Sequence, residues 1–192
     1  MSANTVAWGK IGTILKAQFN CFPQPNTAGQ KPIEAILLKD TNQITELMHE
    51  LKNKHDFSVL LLINAVEYKE NFQIIYQLQK MPPNYEMLII KVNISKTNPE
   101  INSVSKVWNS ANWYERELWD LQGIKFKGHD NLQRILNPDS WEGFPLRKNY
   151  IPPLDALNGP ITAVKGNAIG SLSQSTRSEV EIIEEPNKVV QP

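Results

Sequence analysis

Apolar residues recur along this chain first at helical spacing, then at strand spacing, then at helical spacing again. Trp8, Ile11, Ile14, Leu15 and Phe19 fall on one side of a 3.6-residue period, predicting an amphipathic helix over 6–19 that Gly9 and Gly12 weaken. Residues 20–32 are rich in Pro, Asn and Gly and read as a loop. A short strand is predicted over 33–38. Thr41 or Asn42 can cap a helix over 43–54, with Ile44, Leu47, Met48 and Leu51 on one face. Residues 57–66 are nearly continuously apolar and read as a strand covered on at least one face. Residues 71–78 alternate, placing Phe72, Ile74, Tyr76 and Leu78 on one side, and 87–94 alternate in their second half. The connections at 67–70 and 79–84 are short, which favours antiparallel hairpins. The pattern predicts an α+β fold of two layers: a mixed, mostly antiparallel sheet packed with helices.

Beyond Pro99 the period changes back. Ser103 can cap a helix through Val104, Val107 and Trp108. A second helix is expected over 113–122, with Asn112 as cap, Glu115 completing a capping box, and Gly123 at the left-handed position past the last turn. On it Tyr114, Leu118 and Leu121 form one row, Glu115 and Trp119 another, and Arg116 stands four residues from Asp120, the spacing of a helical ion pair. Residues 123–128 read as a short edge strand between two glycines. Leu132, Ile135 and Leu136 form an apolar cluster, and Asn137-Pro138-Asp139 and Gly143-Phe144-Pro145 are turn chemistry. After Tyr150 the aromatics stop. The domain is therefore expected to span 1–150. Residues 151–192 form an extended or disordered tail, its first part to about Leu157 laid along a neighbouring protein.

Charge removes several functions. Lys+Arg and Asp+Glu each total 20, so the net charge is zero, unlike the basic domains that bind nucleic acid. Neutral chains associate readily, a hint of a partner. Cys21 is the single cysteine, so neither a disulfide nor a cysteine-ligated iron–sulfur cluster can form within the chain. His49, His55 and His129 are scattered and lack the spacing of a metal set. No stretch reaches the roughly 20 apolar residues that span a bilayer, and no signal peptide is visible, so the chain reads as cytoplasmic.

The information is concentrated in 111–150. Trp113, Trp119 and Trp141 stand there among Glu115, Arg116, Glu117, Asp120, Arg134, Arg147 and Lys148, a mixture that composition assigns to a core somewhat more readily than to an interface. The segments Asn112-Trp113-Tyr114-Glu115-Arg116-Glu117, Trp119-Asp120-Leu121-Gln122-Gly123-Ile124-Lys125-Phe126-Lys127-Gly128-His129, Arg134-Ile135-Leu136, Asn137-Pro138-Asp139-Ser140-Trp141-Glu142-Gly143 and Pro145-Leu146-Arg147-Lys148 together resemble the signature of the C subunit of NADH–quinone oxidoreductase, the bacterial respiratory complex I. The sequence departs from that pattern at Gln122, Asp130, Gln133, Phe144 and Asn149. The resemblance implies a non-catalytic subunit of the hydrophilic arm of an ion-translocating enzyme, on the cytoplasmic side of the inner membrane. Its chief neighbour would be the large quinone-site subunit, and it would meet the membrane only through the complex. FMN, iron–sulfur clusters and quinone would be bound by partner subunits. Trp113, Glu115, Arg116, Glu117, Asp120, His129, Arg134 and Arg147 become the candidate interface residues, none of them catalytic.

Two other classes compete. A stand-alone enzyme would use Glu115, Glu117, Asp120 and the pair His129-Asp130 as acid and base. However, chain neighbours rarely point at each other and no nucleophile with a positioned base is visible. A scaffold subunit of a ferredoxin–plastoquinone or membrane-bound hydrogenase complex would carry a similar motif and differ in its electron donor.

Overall fold

The computed structural model describes residues 10–24, 33–83 and 85–152. The chain divides at Ile151, and the expectations for the tail beyond Pro152 lie outside the described residues.

Helix α1 (Lys10–Gln18) precedes strand β1 (Cys21–Gln24), which lies in the stretch expected to be loop. β1 pairs antiparallel with β2 (Glu34–Leu38), and its edge position tolerates Pro23, which has no N–H to donate. Asp40 caps a 3-10 turn at Thr41–Gln43 by accepting Asn42 N–H (3.0 Å), so neither Thr41 nor Asn42 is the cap, and α2 (Ile44–Lys54) follows. Then come β3 (Val59–Glu67), β4 (Asn71–Gln79) and β5 (Met87–Ser95), antiparallel in succession as the short connections require. β5 also pairs parallel with β2, giving the order β1-β2-β5-β4-β3 with β5 in the middle. The sheet is therefore mixed and mostly antiparallel, as expected.

Strict alternation on β4 buries Phe72, Ile74, Tyr76 and Leu78 on one face together with Leu88, Ile90 and Val92 of β5. That face receives Leu15 of α1 and Ile44, Leu47, Met48 and Leu51 of α2, all fully buried. After the sheet, β6 (Glu100–Asn102) pairs parallel with β7 (Lys125–Lys127), around α3 (Ala111–Gln122). β7 is the expected short strand; three-residue β6 had no visible period. The helix expected after Ser103 is a single turn in which Val104 carbonyl accepts from the N–H groups of Val107 and Trp108.

Candidate functional site

Helix α3 starts at Ala111, one position before the expected cap Asn112, and Ser110 at its N-cap makes no side-chain bond. Glu115 is thus the fifth residue of the helix and turns inward, fully buried. It closes no capping box on its own helix. Its oxygens accept from Ser103 hydroxyl (2.5 Å) and Val104 N–H (2.7 Å), so it ties the turn after β6 to α3. Burial pushes its carboxyl up to about 7, against the downward pull of those two donors. Behind it the Tyr76 hydroxyl is buried without a partner among the described residues; burial and then the Glu115 charge push it well above its ordinary value.

One turn on, Asp120 is fully buried and takes five donors on one carboxylate. Oδ2 accepts the consecutive N–H groups of Ile135 (3.0 Å), Leu136 (2.8 Å) and Asn137 (2.9 Å). Oδ1 accepts from Arg134 (2.6 Å) and from the Asn137 amide (2.9 Å). Burial alone would raise this carboxyl, but the Asn137 N–H, the Arg134 guanidinium and the other donors hold it well below the usual carboxylate range. The pair Arg116–Asp120 does not form. Arg116 instead donates to the carbonyls of Gln133 and Arg134, both at 3.1 Å, while Asp120 is taken up by the donors of the same loop, Arg134 and the N–H groups of Ile135 to Asn137.

Two arginines complete the scaffold. Arg134 reaches past Asp120 to the carbonyls of Trp141 (2.8 Å) and Gly143 (3.3 Å) and lies between the rings of Trp119 and Phe144. Arg147 donates from Nε to the Gln122 carbonyl (2.7 Å), where the helix dipole leaves negative carbonyl ends, and stacks over Phe144. Lys148 N–H is accepted by the buried Glu67 of β3 (2.8 Å), which Lys96 also pairs, so the loop closes back onto the sheet. Gly123 takes the expected left-handed conformation, φ 71°, and a Cβ there would stand 2.5 Å from the Phe144 ring. Gly123→Ala should therefore cost about 2 kcal/mol or more in thermal or urea unfolding. Combining it with Phe144→Ala should cost less than the two single losses added, since the collision disappears.

The expected interface residues thus divide. Glu115 and Asp120 are spent inside the domain and offer a partner nothing; the expectation that they make direct charged contacts is corrected by their burial. Arg134 and Arg147 are committed to internal carbonyls. His129 accepts Asn131 N–H on Nδ1 (3.0 Å) and sets Nε2 3.2 Å from the Asn112 carbonyl, away from Asp130, which lies near Lys106. Trp113, 63% exposed with Arg116 over its ring, and Glu117 face outward. Leu136, expected in an apolar cluster, is 62% exposed, because its N–H turns to Asp120 and its side chain away. Sequence reasoning missed Tyr114, Gln122 and Asn137 as anchors. Tyr114 hydroxyl and Gln122 amide donate to the β3 carbonyls of Leu61 (2.7 Å) and Ala65 (3.1 Å), and a polar residue on the buried row of a helix was the signal for Gln122. Among the described residues no three His, Cys, Asp or Glu side chains gather to hold a metal, and no helix is long and apolar enough to cross a membrane.

A family profile described as respiratory-chain NADH dehydrogenase, 30 kDa subunit, matches residues 37–155. The C subunit of the NADH-quinone oxidoreductase of Moorella thermoacetica is 41% identical over 116 residues, which cover 59% of this chain and 78% of that protein. The fused C/D subunit of the Chromohalobacter salexigens enzyme is 34% identical over 126 residues, covering 60% of this chain and 21% of that longer one. Among solved structures, the trypsin-resistant fragment of Nqo5 superposes with a TM-score of 0.55 at 25% identity, over 64% of this chain and 97% of the fragment.

Proposed function

This chain belongs to the family of the 30 kDa subunit of respiratory-chain NADH dehydrogenase, and we propose that it serves as a scaffold subunit in the hydrophilic arm of an NADH–quinone oxidoreductase, doing none of the redox chemistry itself. One observation carries this reading. Asp120, Arg116, Arg134 and Arg147 are spent on holding the loop after β7 against α3, with Asp120 as the hub, Glu115 is spent on the turn after β6, and of the helix Trp113 and Glu117 are left exposed to a neighbour. Such a constellation fixes a surface; it presents no nucleophile beside a base. A single cysteine supports assigning the iron–sulfur clusters to other chains. The joining of C and D subunits in one polypeptide of the Chromohalobacter relative supports the D component, the large quinone-site subunit, as the direct neighbour. Peripheral attachment on the cytoplasmic side of the inner membrane follows from that neighbour rather than from this chain.

A tagged full-length chain expressed in its host should bring down NADH-dehydrogenase subunits. Trp113→Ala combined with Glu117→Lys should reduce recovery of the large subunit several-fold, leaving the melting temperature of the chain within about 2 °C, because neither side chain supports the core. Recovery of hydrogenase-type or ferredoxin-linked partners would move the same scaffold to a different machine. Recovery of no other protein would defeat the reading.

A further inference from the structure

Among the described residues the three α-helices and the core lie on one face of the five-stranded sheet or at its β3 edge. The opposite face carries, in cross-strand rows, Phe22, Leu37, Lys91, Ile75 and Asn64, then Ala35, Ile89, Gln77 and Leu62, then Asn93, Gln73 and Val66. Its chemistry is uniform. Amides bond one another, as Gln73 does with Asn93 (2.9 Å), and aliphatic side chains lie between them. Among the described strand residues of this face the one charged side chain is Lys91. It stands on the central strand, half-buried, between Ile75 and Leu37, and no described residue pairs with it. The carboxylates of the same strands, Glu34 and Glu67, sit on the other face, taken by Gly12 N–H and by Lys96 and Lys148.

A lone cation at the middle of a sheet face, with Leu37 and Ile75 across from it, Ile89 before it and the Gln73–Asn93 amide pair after it, is the arrangement of an interface anchor, in which the surrounding side chains exclude water from a central charge pair. The area fits as well. The 36 residues of these five strands, at about 3.4 Å by 4.8 Å each, present about 600 Å² in projection, comparable to the roughly 800 Å² of accessible surface that each side of a stable interface buries.

The face is also continuous with the exposed flank of α3. A cleft of about 130 Å³ at the β3 edge is lined by Leu62, Asn64, Glu117, Leu121 and Leu146. Strand parity turns the backbone of Ile63 into it. Leu61 and Ala65 on either side have their outward carbonyls closed by Tyr114 and Gln122, whereas among the described residues nothing takes up the N–H and C=O of Ile63.

We propose that the open sheet face around Lys91 is the docking surface for the large partner subunit, which crosses the β3 edge beside Glu117 and sets a carboxylate on Lys91 within an aliphatic surface. The proposal rests on the scaffold reading above and names the face, the charge signs and the anchor that reading leaves open. The partner's surface is apolar, carries a cation toward Glu117 beyond the β3 edge, and carries an acid over Lys91, two strand spacings or roughly 10 Å in from β3.

The test uses the tagged full-length chain and the complex it brings down. Lys91→Glu and Ile75→Asp should each lower recovery of the large subunit roughly tenfold or more, and Lys91→Arg should keep it. In the intact complex, acylation of Lys91 by a water-soluble succinimidyl ester, read by mass spectrometry, should fall roughly tenfold on assembly while exposed Lys69 and Lys125 react as before. A zero-length carbodiimide should join Lys91 to an Asp or Glu of the large subunit. Unchanged recovery with Lys91→Glu, or full acylation of Lys91 in the complex, overturns the docking face and leaves the scaffold reading standing. A wild-type chain that recovers no other subunit overturns both.

Discussion

Asp120→Asn should release the loop at 133–147 from helix α3 and cost about 3 kcal/mol or more of stability, with the five-stranded sheet still formed. The carboxylate accepts five hydrogen bonds while fully buried, and two of its five donors belong to the side chains of Arg134 and Asn137. An asparagine keeps one acceptor oxygen and turns an N–H₂ toward those donors. Either Arg134 and Asn137 or the run of backbone N–H groups from Ile135 to Asn137 is then left unpaired in the interior. Removing one partner of a buried, hydrogen-bonded charge pair typically costs about 3–5 kcal/mol, because the remaining charge stays desolvated. The loss spreads, since Arg134 also holds the carbonyls of Trp141 and Gly143. Amide exchange provides the readout. The N–H groups of Ile135, Leu136 and Asn137 should lose protection, and those of β4 and β5 should keep it. Unchanged exchange at those three amides would mean that Asp120 is not the hub. In the wild-type chain the same release should come with acid. The folded carboxyl lies below its ordinary value of 3.8, so the stability it contributes is full above that value and drains away as the pH falls through the depressed one.

Asp120 also shows where sequence reading stops. The helix, its glycine terminus and the strand after it were legible, because periodicity and a left-handed glycine are local signals. The hairpins β3–β4–β5 were legible for the same reason: alternation fixes which side faces the core, and short connections fix the sense. The partners of a charged residue are not local. Arg116 stood at the right helical spacing, yet Asp120 is 14 to 17 residues from the donors that hold it. The i,i+4 ion pair is worth only a few tenths of a kcal/mol, so a convergent set of five donors overrides it. Glu115 misled in the same way, since its true partners come from Ser103 and Val104, before the helix begins. β1 was hidden because Pro23 and its polar surroundings read as loop, though an edge strand accepts them. The charged and aromatic residues of α3 and the loop after it were legible as a cluster but not as a division into inward and outward, because burial is a property of the fold. Lys91 could not stand out at all: one lysine in an alternating strand has meaning only when the strand proves central and its neighbours across the sheet prove apolar.

Glu115→Gln should flatten the pH dependence of stability between about pH 4.5 and 8 and make the chain more stable than wild type at the upper end. In the folded chain burial raises the Glu115 carboxyl from 4.5 to about 7, so the native state holds its proton more tightly than the unfolded state. Stability from this group is then fully present below 4.5, declines as the pH rises toward 7, and is gone above it. A rise of that size corresponds to about 3 kcal/mol at 1.36 kcal/mol per pKa unit. Glutamine suits the site. Its Oε1 can accept Val104 N–H, and its Nε2 can donate to Ser103 Oγ, whose own proton then turns to Ser105 Oγ, 2.8 Å away. The buried Tyr76 hydroxyl is a second acceptor within the same pocket of the core. The anchor between the β6 turn and α3 is thereby kept while the charge is removed. Urea unfolding of both proteins at pH 5 and pH 8 separates the effects, because every other titrating group is common to the two. Near-equal stability at pH 5 with the glutamine variant ahead at pH 8 is the expected result. Parallel pH profiles would show that Glu115 is ionised throughout and that the donors of Ser103 and Val104, rather than burial, set its protonation. A glutamine variant weaker at both pH values would show that the carboxylate itself stabilises the turn, and that the charge is the anchor.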